Sequence, residues 1–164
     1  MPAYYEAEQY IADRIGVLRD FSAPEDQEIY LDLIKREETE QGIQYAELQR
    51  KAILSALSRG LLILTGGPGT GKTTTLNGMI SLFEKQGYQV MLAAPTGRAA
   101  QRISDLTGYE AKTIHRLLEV EFDMAGATKF RHNESNPLTC DVMIVDEMSM
   151  VDVLLFESLL RALR

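Results

Sequence analysis

The chain has 164 residues, of which 45% are apolar and 25% charged, so it is long enough for one globular domain with a small appendage. It contains no run of about 18 apolar residues, no signal-peptide pattern at its start and a single cysteine, which argues against a membrane protein or a disulfide framework and favours the cytoplasm. The net charge of −7 argues against a surface that binds nucleic acid everywhere, and any such contact must be local.

The first 41 residues predict two helices. Apolar residues recur every three or four positions between residues 3 and 20, which is typical of an amphipathic helix. A second helix is predicted with Ser22 as its N-cap, and Gly42 is a natural stop for it. We predict that residues 1–41 form a small helical appendage whose own core is too thin to stand alone.

An apolar, β-compatible run, Leu61–Thr65, predicts a buried strand. It leads into a glycine-rich stretch that matches the phosphate-binding pattern G-x-x-x-x-G-K-[ST] at residues 66–73. A tight glycine-rich turn points its backbone N–H groups inward, and a helix that starts near Gly71 directs its positive end to the same point. Lys72 can then reach the β- and γ-phosphates, and the Thr73 hydroxyl can ligate Mg²⁺. The alternative is a glycine-rich turn that merely happens to contain Lys-Thr.

This loop predicts that the protein binds a nucleoside triphosphate, for which ATP with Mg²⁺ is the expected form. The residues predicted to bind it are Gly67, Gly69, Thr70, Gly71, Lys72, Thr73 and Thr74.

A third predicted helix, residues 45–57, carries Gln49 a short distance before the loop. A glutamine amide can both donate to and accept from the edge of an adenine, so Gln49 is a candidate for reading the base. The alternative is an ordinary surface glutamine, and only its spacing from the loop favours base reading.

The rest of the chain alternates strands and helices. We predict a helix at 74–85, a strand at 90–94, helices at 98–106 and 112–118, a small hairpin within 119–131, a strand at 141–145 and a final helix from about residue 151. Such alternation predicts a parallel sheet with flanking helices, and together with the phosphate loop it predicts an α/β fold of the P-loop NTPase type.

Ligands of such a sheet gather at the carboxyl ends of its strands. Asp146 and Glu147 follow one strand, and residues 95–98 follow another. Asp146 is suited to hold Mg²⁺ through its water shell, and Glu147 is suited to polarise an attacking water as general base. The alternative for these two acids is a partnership with a helix N-terminus, but together with the phosphate loop they indicate an ATPase.

Five stretches of the chain match one known family: residues 42–53, 64–75, 94–100, 112–118 and 145–152. The most specific are Thr-Ile-His-Arg at 113–116 and the Asp-Glu-x-Ser-Met form at 146–150. Over roughly 43–164 the chain resembles the first motor domain of RecD-like superfamily 1 DNA helicases, of the exodeoxyribonuclease V alpha-subunit type.

The resemblance implies an ATP-dependent DNA helicase that moves 5′ to 3′ on single-stranded DNA, with 42–164 as its first RecA-like ATPase domain and Gln49 as adenine reader. It also implies contacts to the DNA backbone from Pro95, Thr96, Gly97, Arg98, Thr113 and His115. A hydroxyl, a helix-start N–H group and an arginine are sensible phosphate ligands. The alternatives are a solvated helix residue for Arg98 and a structural hydrogen-bond partner for His115.

The sequence departs from the family in two places. Ala46 stands where many members carry a polar cap, and the chain stops one helix after Asp146 and Glu147. We therefore expect a fragment that lacks the next strand and the second motor domain with its arginine finger. Such a fragment is expected to be inactive alone and to self-associate along a sheet edge beside Leu61–Thr65.

Two other functions remain open from the residues. One is a nucleotide-binding or DNA-docking module without catalytic activity, and the other is a different P-loop enzyme, such as a kinase.

Overall fold

A computed structural model of the chain describes residues 2–23, 26–67, 69–122 and 128–164. They divide into two compact units, of which one is Ile15–Tyr88 and the other is Gln89–Arg164 together with the start of the chain up to Arg14. The division falls within helix α1, Pro2–Asp20, which the apolar spacing predicted. Among the described residues, no helix has both the length and the apolar character needed to cross a membrane.

The regular elements described in the unit Ile15–Tyr88 are helices, apart from an isolated bridge between Ser22 and Arg59. After the end of α1 it contains α2 (Gln27–Gln41), α3 (Glu47–Ser58) and α4 (Lys72–Lys85). The N-cap of α2 is Asp26, whose carboxylate accepts from the backbone N–H of Glu28 at 3.2 Å. The predicted cap Ser22 is therefore wrong, whereas Gly42 ends α2 at φ 65°, as predicted.

Close packing joins the helices of this unit. Tyr45 is buried and lies so near Gly78 of α4 that any β-carbon at position 78 would collide with its hydroxyl. Ile53 of α3 meets α4 at the same place. The most deeply buried large apolar side chains of the unit are Ile34, Ile53, Ile80 and Leu82.

The predicted strand at Leu61–Thr65 is wrong, because this segment has no strand partner among the described residues. Ile63 is 78% exposed. An apolar run with β propensity becomes a strand only when another strand receives its backbone hydrogen bonds. The described part of the unit Ile15–Tyr88 offers helices instead.

The second unit contains the sheet. In chain order its described elements are β1 (Val90–Ala94), α5 (Gly97–Thr107), β2 (Ala111–Thr113), α6 (Ile114–Leu118), β3 (Val120–Phe122), β4 (Thr128–Phe130), β5 (Val142–Val145), a 3₁₀ helix (Met148–Met150) and α7 (Val153–Arg161). Strands β1, β2 and β5 form a parallel sheet in the order β2-β1-β5. The predicted α/β fold with a parallel sheet and flanking helices is thus confirmed.

The start of α6 differs from the prediction, and the β3–β4 hairpin agrees with it. The helix predicted at 112–118 begins only at Ile114, because Lys112 and Thr113 belong to β2 and pair with β1. So short a strand forms because a neighbouring strand pairs with it. The periodicity of the local sequence does not show that neighbour. The predicted hairpin exists as antiparallel β3 and β4, while its turn around Ala125-Gly126 lies outside the described residues.

The central strand β1 is buried on both faces, as parallel sheets require. On one face Ala94 packs against Ala99 and Ala100 of α5. On the other face Ala93 joins a larger apolar cluster that α6 and α7 complete. The register places Ala94 beside Thr113 of β2 and Ala93 beside Val145 of β5, so the carboxyl ends of the three strands lie side by side.

Candidate functional site

The glycine-rich loop opens helix α4 in the way its sequence predicts. Gly71 is the N-cap of α4 at φ 81°, and Gly69 also has a positive φ, 74°. Backbone of this kind strongly favours glycine. It turns the chain sharply into α4, whose first N–H groups have no partner within the helix and form a natural anion site. Pro68 lies outside the described residues.

Short contacts hold the loop in shape. The hydroxyl of Thr70 donates to the carbonyl of Gly67 at 2.8 Å, and the buried hydroxyl of Thr75 donates to the carbonyl of Gly71 at 2.9 Å. A β-carbon at Gly66 would lie 2.7 Å from the Thr70 hydroxyl oxygen, so this glycine leaves room that any other residue would fill. The glycines of the pattern are therefore required by close approach as well as by φ.

The side chains of Lys72, Thr73 and Thr74, which are expected to bind phosphate and metal, have no hydrogen-bond or ion-pair partner among the described residues. Lys72 is exposed and, within the described ranges, has no ion-pair partner. Thr73 is half-buried and Thr74 is exposed. An exposed ammonium next to a helix N-terminus attracts an anion from solution. These properties fit the predicted roles, which stay predictions.

Gln49 makes two hydrogen bonds to the protein. Its Oε1 accepts from the backbone N–H of Ala46 at 2.8 Å, and its Nε2 donates to the carbonyl of Gly71 at 3.1 Å. Ala46 has no side-chain acceptor, so only this half of a capping box exists at the start of α3. Gln49 thereby ties α3 to the phosphate loop. Its amide keeps one donor and one acceptor lone pair for a base, and the adenine-reading role stays a prediction.

Asp146 and Glu147 directly follow β5, as predicted. The backbone N–H of Asp146 donates to the carbonyl of Ala93 at 2.9 Å, which extends the pairing with β1 by one residue. Glu147 then adopts left-handed backbone, φ 52° and ψ 42°, which is uncommon for a residue with a β-carbon. Its carboxylate oxygen Oε1 lies 3.7 Å from Nη1 of Arg102. Non-glycine residues in this conformation occur preferentially at functional positions.

The residues predicted to contact DNA lie at the ends of two adjacent strands. Thr96 is the N-cap of α5 and accepts from the N–H of Ala99 at 3.2 Å. Thr113 is the N-cap of α6 and accepts from the N–H of Arg116 at 3.1 Å. Each hydroxyl keeps its own hydrogen for an outside acceptor.

The side chains around these two caps face solvent. Thr96, Gly97 and Arg98 are exposed, and Pro95 is half-buried. His115 is exposed, with its ring 6.0 Å from that of Phe130. The register that pairs Ala94 with Thr113 thus brings 95–98 and 113–115 to one edge of the sheet.

Sequence reasoning gave Arg102 no role at the site. Its position four residues after Arg98 on a predicted helix was a signal that the two share a face. Its contact with Glu147 was not predictable, because it joins the ends of two elements that are distant in sequence.

Comparison with known proteins identifies relatives of the chain. Residues 49–164 match the AAA domain family. The chain is 42% identical over 141 residues to the RecBCD enzyme subunit RecD of Mycolicibacterium smegmatis, which covers 72% of this chain and 25% of that protein. It is 44% identical over 117 residues to the ATP-dependent RecD2 DNA helicase of Deinococcus radiodurans, covering 71% of this chain and 16% of that protein.

A third relative, the RecBCD enzyme subunit RecD of Haemophilus influenzae, is 32% identical over 184 aligned residues, which covers 98% of this chain and 28% of that protein. The chain thus spans between 16% and 28% of the length of these three relatives. The resemblance to RecD-like helicases is confirmed by these matches, and the chain belongs to the AAA domain family.

Proposed function

We propose that the protein is an ATP-dependent DNA helicase of the RecD-like 5′–3′ type and that this chain is the nucleotide-binding half of its motor. In this proposal residues 1–41 are a helical appendage and residues 42–164 are the first RecA-like ATPase domain. The observation that carries the proposal is the phosphate loop, whose glycines adopt the required backbone at the start of α4. The names of the relatives, RecD and RecD2 helicase, support it.

The loop fits the phosphates of ATP. The backbone N–H groups of its positive-φ glycines and the ammonium of Lys72, which has no ion-pair partner among the described residues, supply hydrogen-bond donors and positive charge to an anion. We propose that Lys72 binds the β- and γ-phosphates and that Gly67, Gly69, Thr70 and Gly71 contribute through the loop. Gln49 binds the base in this proposal, and Thr74 adds a further contact near the phosphates.

The metal is proposed to be Mg²⁺, held by the Thr73 hydroxyl and, mostly through water, by Asp146. Among the described residues there is no group of three or more His, Cys, Asp or Glu side chains that could hold a metal by themselves. One hydroxyl and one carboxylate suit Mg²⁺, which takes most of its ligands from phosphate and water. When bound, the ion neutralises charge on the phosphate oxygens.

Glu147 is the proposed general base. Its carboxylate accepts a proton from the attacking water, while Lys72 stabilises charge on the phosphoryl group. An arginine from a second motor domain of the same protein completes the charge stabilisation in this proposal, as arginine fingers do in other P-loop enzymes.

Single-stranded DNA is the proposed polymer substrate. The Thr96 and Thr113 caps, the exposed Arg98 and the exposed His115 lie at one edge of the sheet and present hydroxyl, N–H and cationic groups suited to phosphate. Because these groups do not read base edges, binding should depend little on sequence and strongly on salt.

The test is ATP hydrolysis by the full-length protein with and without single-stranded DNA. Glu147→Gln should leave ATP binding largely intact and stop hydrolysis, because the base is lost while the metal ligand Asp146 remains. Glu110→Gln is the matched control, since Glu110 is 79% exposed and lies before β2 rather than after a strand. No stimulation by single strands would contradict the helicase proposal and favour a nucleotide-binding or docking module. Near wild-type hydrolysis by Glu147→Gln would contradict the role of this residue.

A further inference from the structure

Arg102 of α5 contacts the residue proposed as general base. Its Nη1 lies 3.7 Å from Oε1 of Glu147, and the two side chains are 71% and 32% exposed. Within the described part of the chain, Arg102 has no other ion-pair partner. The distance is longer than the 2.7–2.9 Å typical of a charge-assisted hydrogen bond, so the arginine is held loosely and can change partner.

The same arginine shares a face of α5 with Arg98, one of the proposed DNA contacts. Arg98 stands four residues earlier on the helix, so the two guanidinium groups lie on one face, one turn apart. Arg98 is exposed and without an ion pair among the described residues. Next to it, the α5 N-terminus capped by Thr96 offers unpaired N–H groups. This surface presents two cations beside a helix start, which suits successive phosphates of a strand.

We propose that Arg102 is a positioning residue that couples single-stranded DNA to ATP hydrolysis by exchanging partners. Without DNA, Arg102 holds the carboxylate of Glu147. When a strand lies along α5, a phosphate takes the guanidinium and releases Glu147 to act on water. This inference rests on the proposed helicase function, because it uses both a DNA strand and Glu147 as base.

Physical chemistry favours the exchange. An exposed, loosely held ion pair favours the paired over the separated side chains by only about two- to five-fold. A competing ligand can therefore displace it. A phosphate can accept two parallel hydrogen bonds from a guanidinium, which is a stronger contact than a single long one. Bound DNA can therefore draw Arg102 away from Glu147.

The exchange has a consequence that can be measured without nucleotide. If DNA and Glu147 compete for Arg102, removing the negative charge of Glu147 must strengthen DNA binding, and only while Arg102 is present. A general electrostatic effect of that charge would instead persist without Arg102. A double-mutant cycle separates the two.

The experiment measures the affinity of the full-length protein for fluorescein-labelled oligothymidylate by anisotropy, at low salt and without ATP. Glu147→Gln should tighten binding about two- to five-fold in the wild-type background and leave it unchanged in the Arg102→Ala background. Asp146→Asn is the matched control, since it removes the same charge one residue away without a contact to Arg102. Its effect should be the same in both backgrounds.

Turnover supplies a second readout. Arg102→Ala should raise the DNA-free kcat about two- to five-fold, with KM for ATP unchanged, and should lower the stimulation by DNA. Arg102→Lys, which keeps the charge without the planar fork, should be intermediate. Arg116→Ala, an equal charge loss on α6, should leave the DNA-free kcat unchanged.

The outcomes separate the two proposals. If Glu147→Gln tightens DNA binding equally in both backgrounds, or if Arg102→Ala lowers the DNA-free kcat, the exchange of partners is overturned and the helicase proposal stands. If the wild-type protein binds no single-stranded DNA, both proposals are overturned.

Discussion

An ion pair between Glu37 and Lys85 joins α2 to α4, the helix that begins at the phosphate loop. The Glu37 side chain is 1% exposed, with Oε2 2.6 Å from Nζ of Lys85 and Oε1 3.2 Å from Nε2 of Gln41. Burial alone raises the pKa of Glu37, but hydrogen bonds from Lys85 and Ser81 and the charge of Lys85 outweigh it, so this pKa lies below its usual value. Hydrogen bonds to Glu37 and Glu40 raise the pKa of Lys85 to about 12.

Replacing Lys85 by methionine leaves a buried carboxylate without its counter-ion. Breaking a fully buried pair in this way costs about 3–5 kcal/mol. Because Lys85 is 44% exposed and Gln41 still donates to Glu37, we expect Lys85→Met to lower the free energy of unfolding by about 1–2 kcal/mol.

The sign of the pH dependence follows from the two pKa values. The lowered pKa of Glu37 gives stability that is present above the unfolded value of about 4.3 and is lost as the pH falls through the folded value. The raised pKa of Lys85 gives stability that is present below the unfolded value of about 10.4 and is lost as the pH rises through about 12. The difference between wild type and Lys85→Met should be constant between these limits.

Urea unfolding of this chain, followed by circular dichroism at several pH values, measures the difference. It should be largest near neutral pH and shrink below about pH 4, where a protonated Glu37 no longer needs a cation. Lys51→Met is the control, because Lys51 is exposed on α3 and has no ion pair among the described residues, so its effect should stay within about 0.5 kcal/mol. An equal loss in Lys51→Met, or a loss that does not depend on pH, would refute the reasoning.

Three further predictions concern the phosphate loop and the isolated chain. Lys72→Ala should abolish ATP binding or turnover in the full-length protein, measured by titration with a fluorescent nucleotide, because it removes the cation at the helix start. Gly71→Ala should cost about 1–2 kcal/mol and weaken ATP binding, since φ is positive and the Gln49 amide occupies the space. Gly87→Ala, also at positive φ but with free space, should cost less stability, because only the backbone strain remains, and should spare ATP binding. The isolated chain should hydrolyse ATP hardly at all in a steady-state assay, because an arginine finger is worth about 10³–10⁵ in rate. The self-association predicted along a sheet edge beside Leu61–Thr65 loses its basis, because this segment is not a strand among the described residues. DNA-stimulated turnover by this chain alone would contradict the expected inactivity.

The sequence by itself predicted the features that depend on local backbone chemistry. Gly71 and the residues around it identified the phosphate loop, because glycine combines the positive φ with the close contacts that this turn needs. The apolar run before Asp146 and Glu147 located these acids at the carboxyl end of a strand, because the end of such a run marks where a buried strand stops.

Only the tertiary structure decided which segments meet. The run Leu61–Thr65 has strand propensity but no strand partner among the described residues, whereas the polar segment Ala111–Thr113 is a strand because β1 is beside it. The bond from Gln49 to Gly71 and the contact of Arg102 with Glu147 join positions that are 22 and 45 residues apart. Periodicity and spacing report on neighbours within a few residues, while hydrogen bonds and ion pairs between distant positions exist only once the chain has folded.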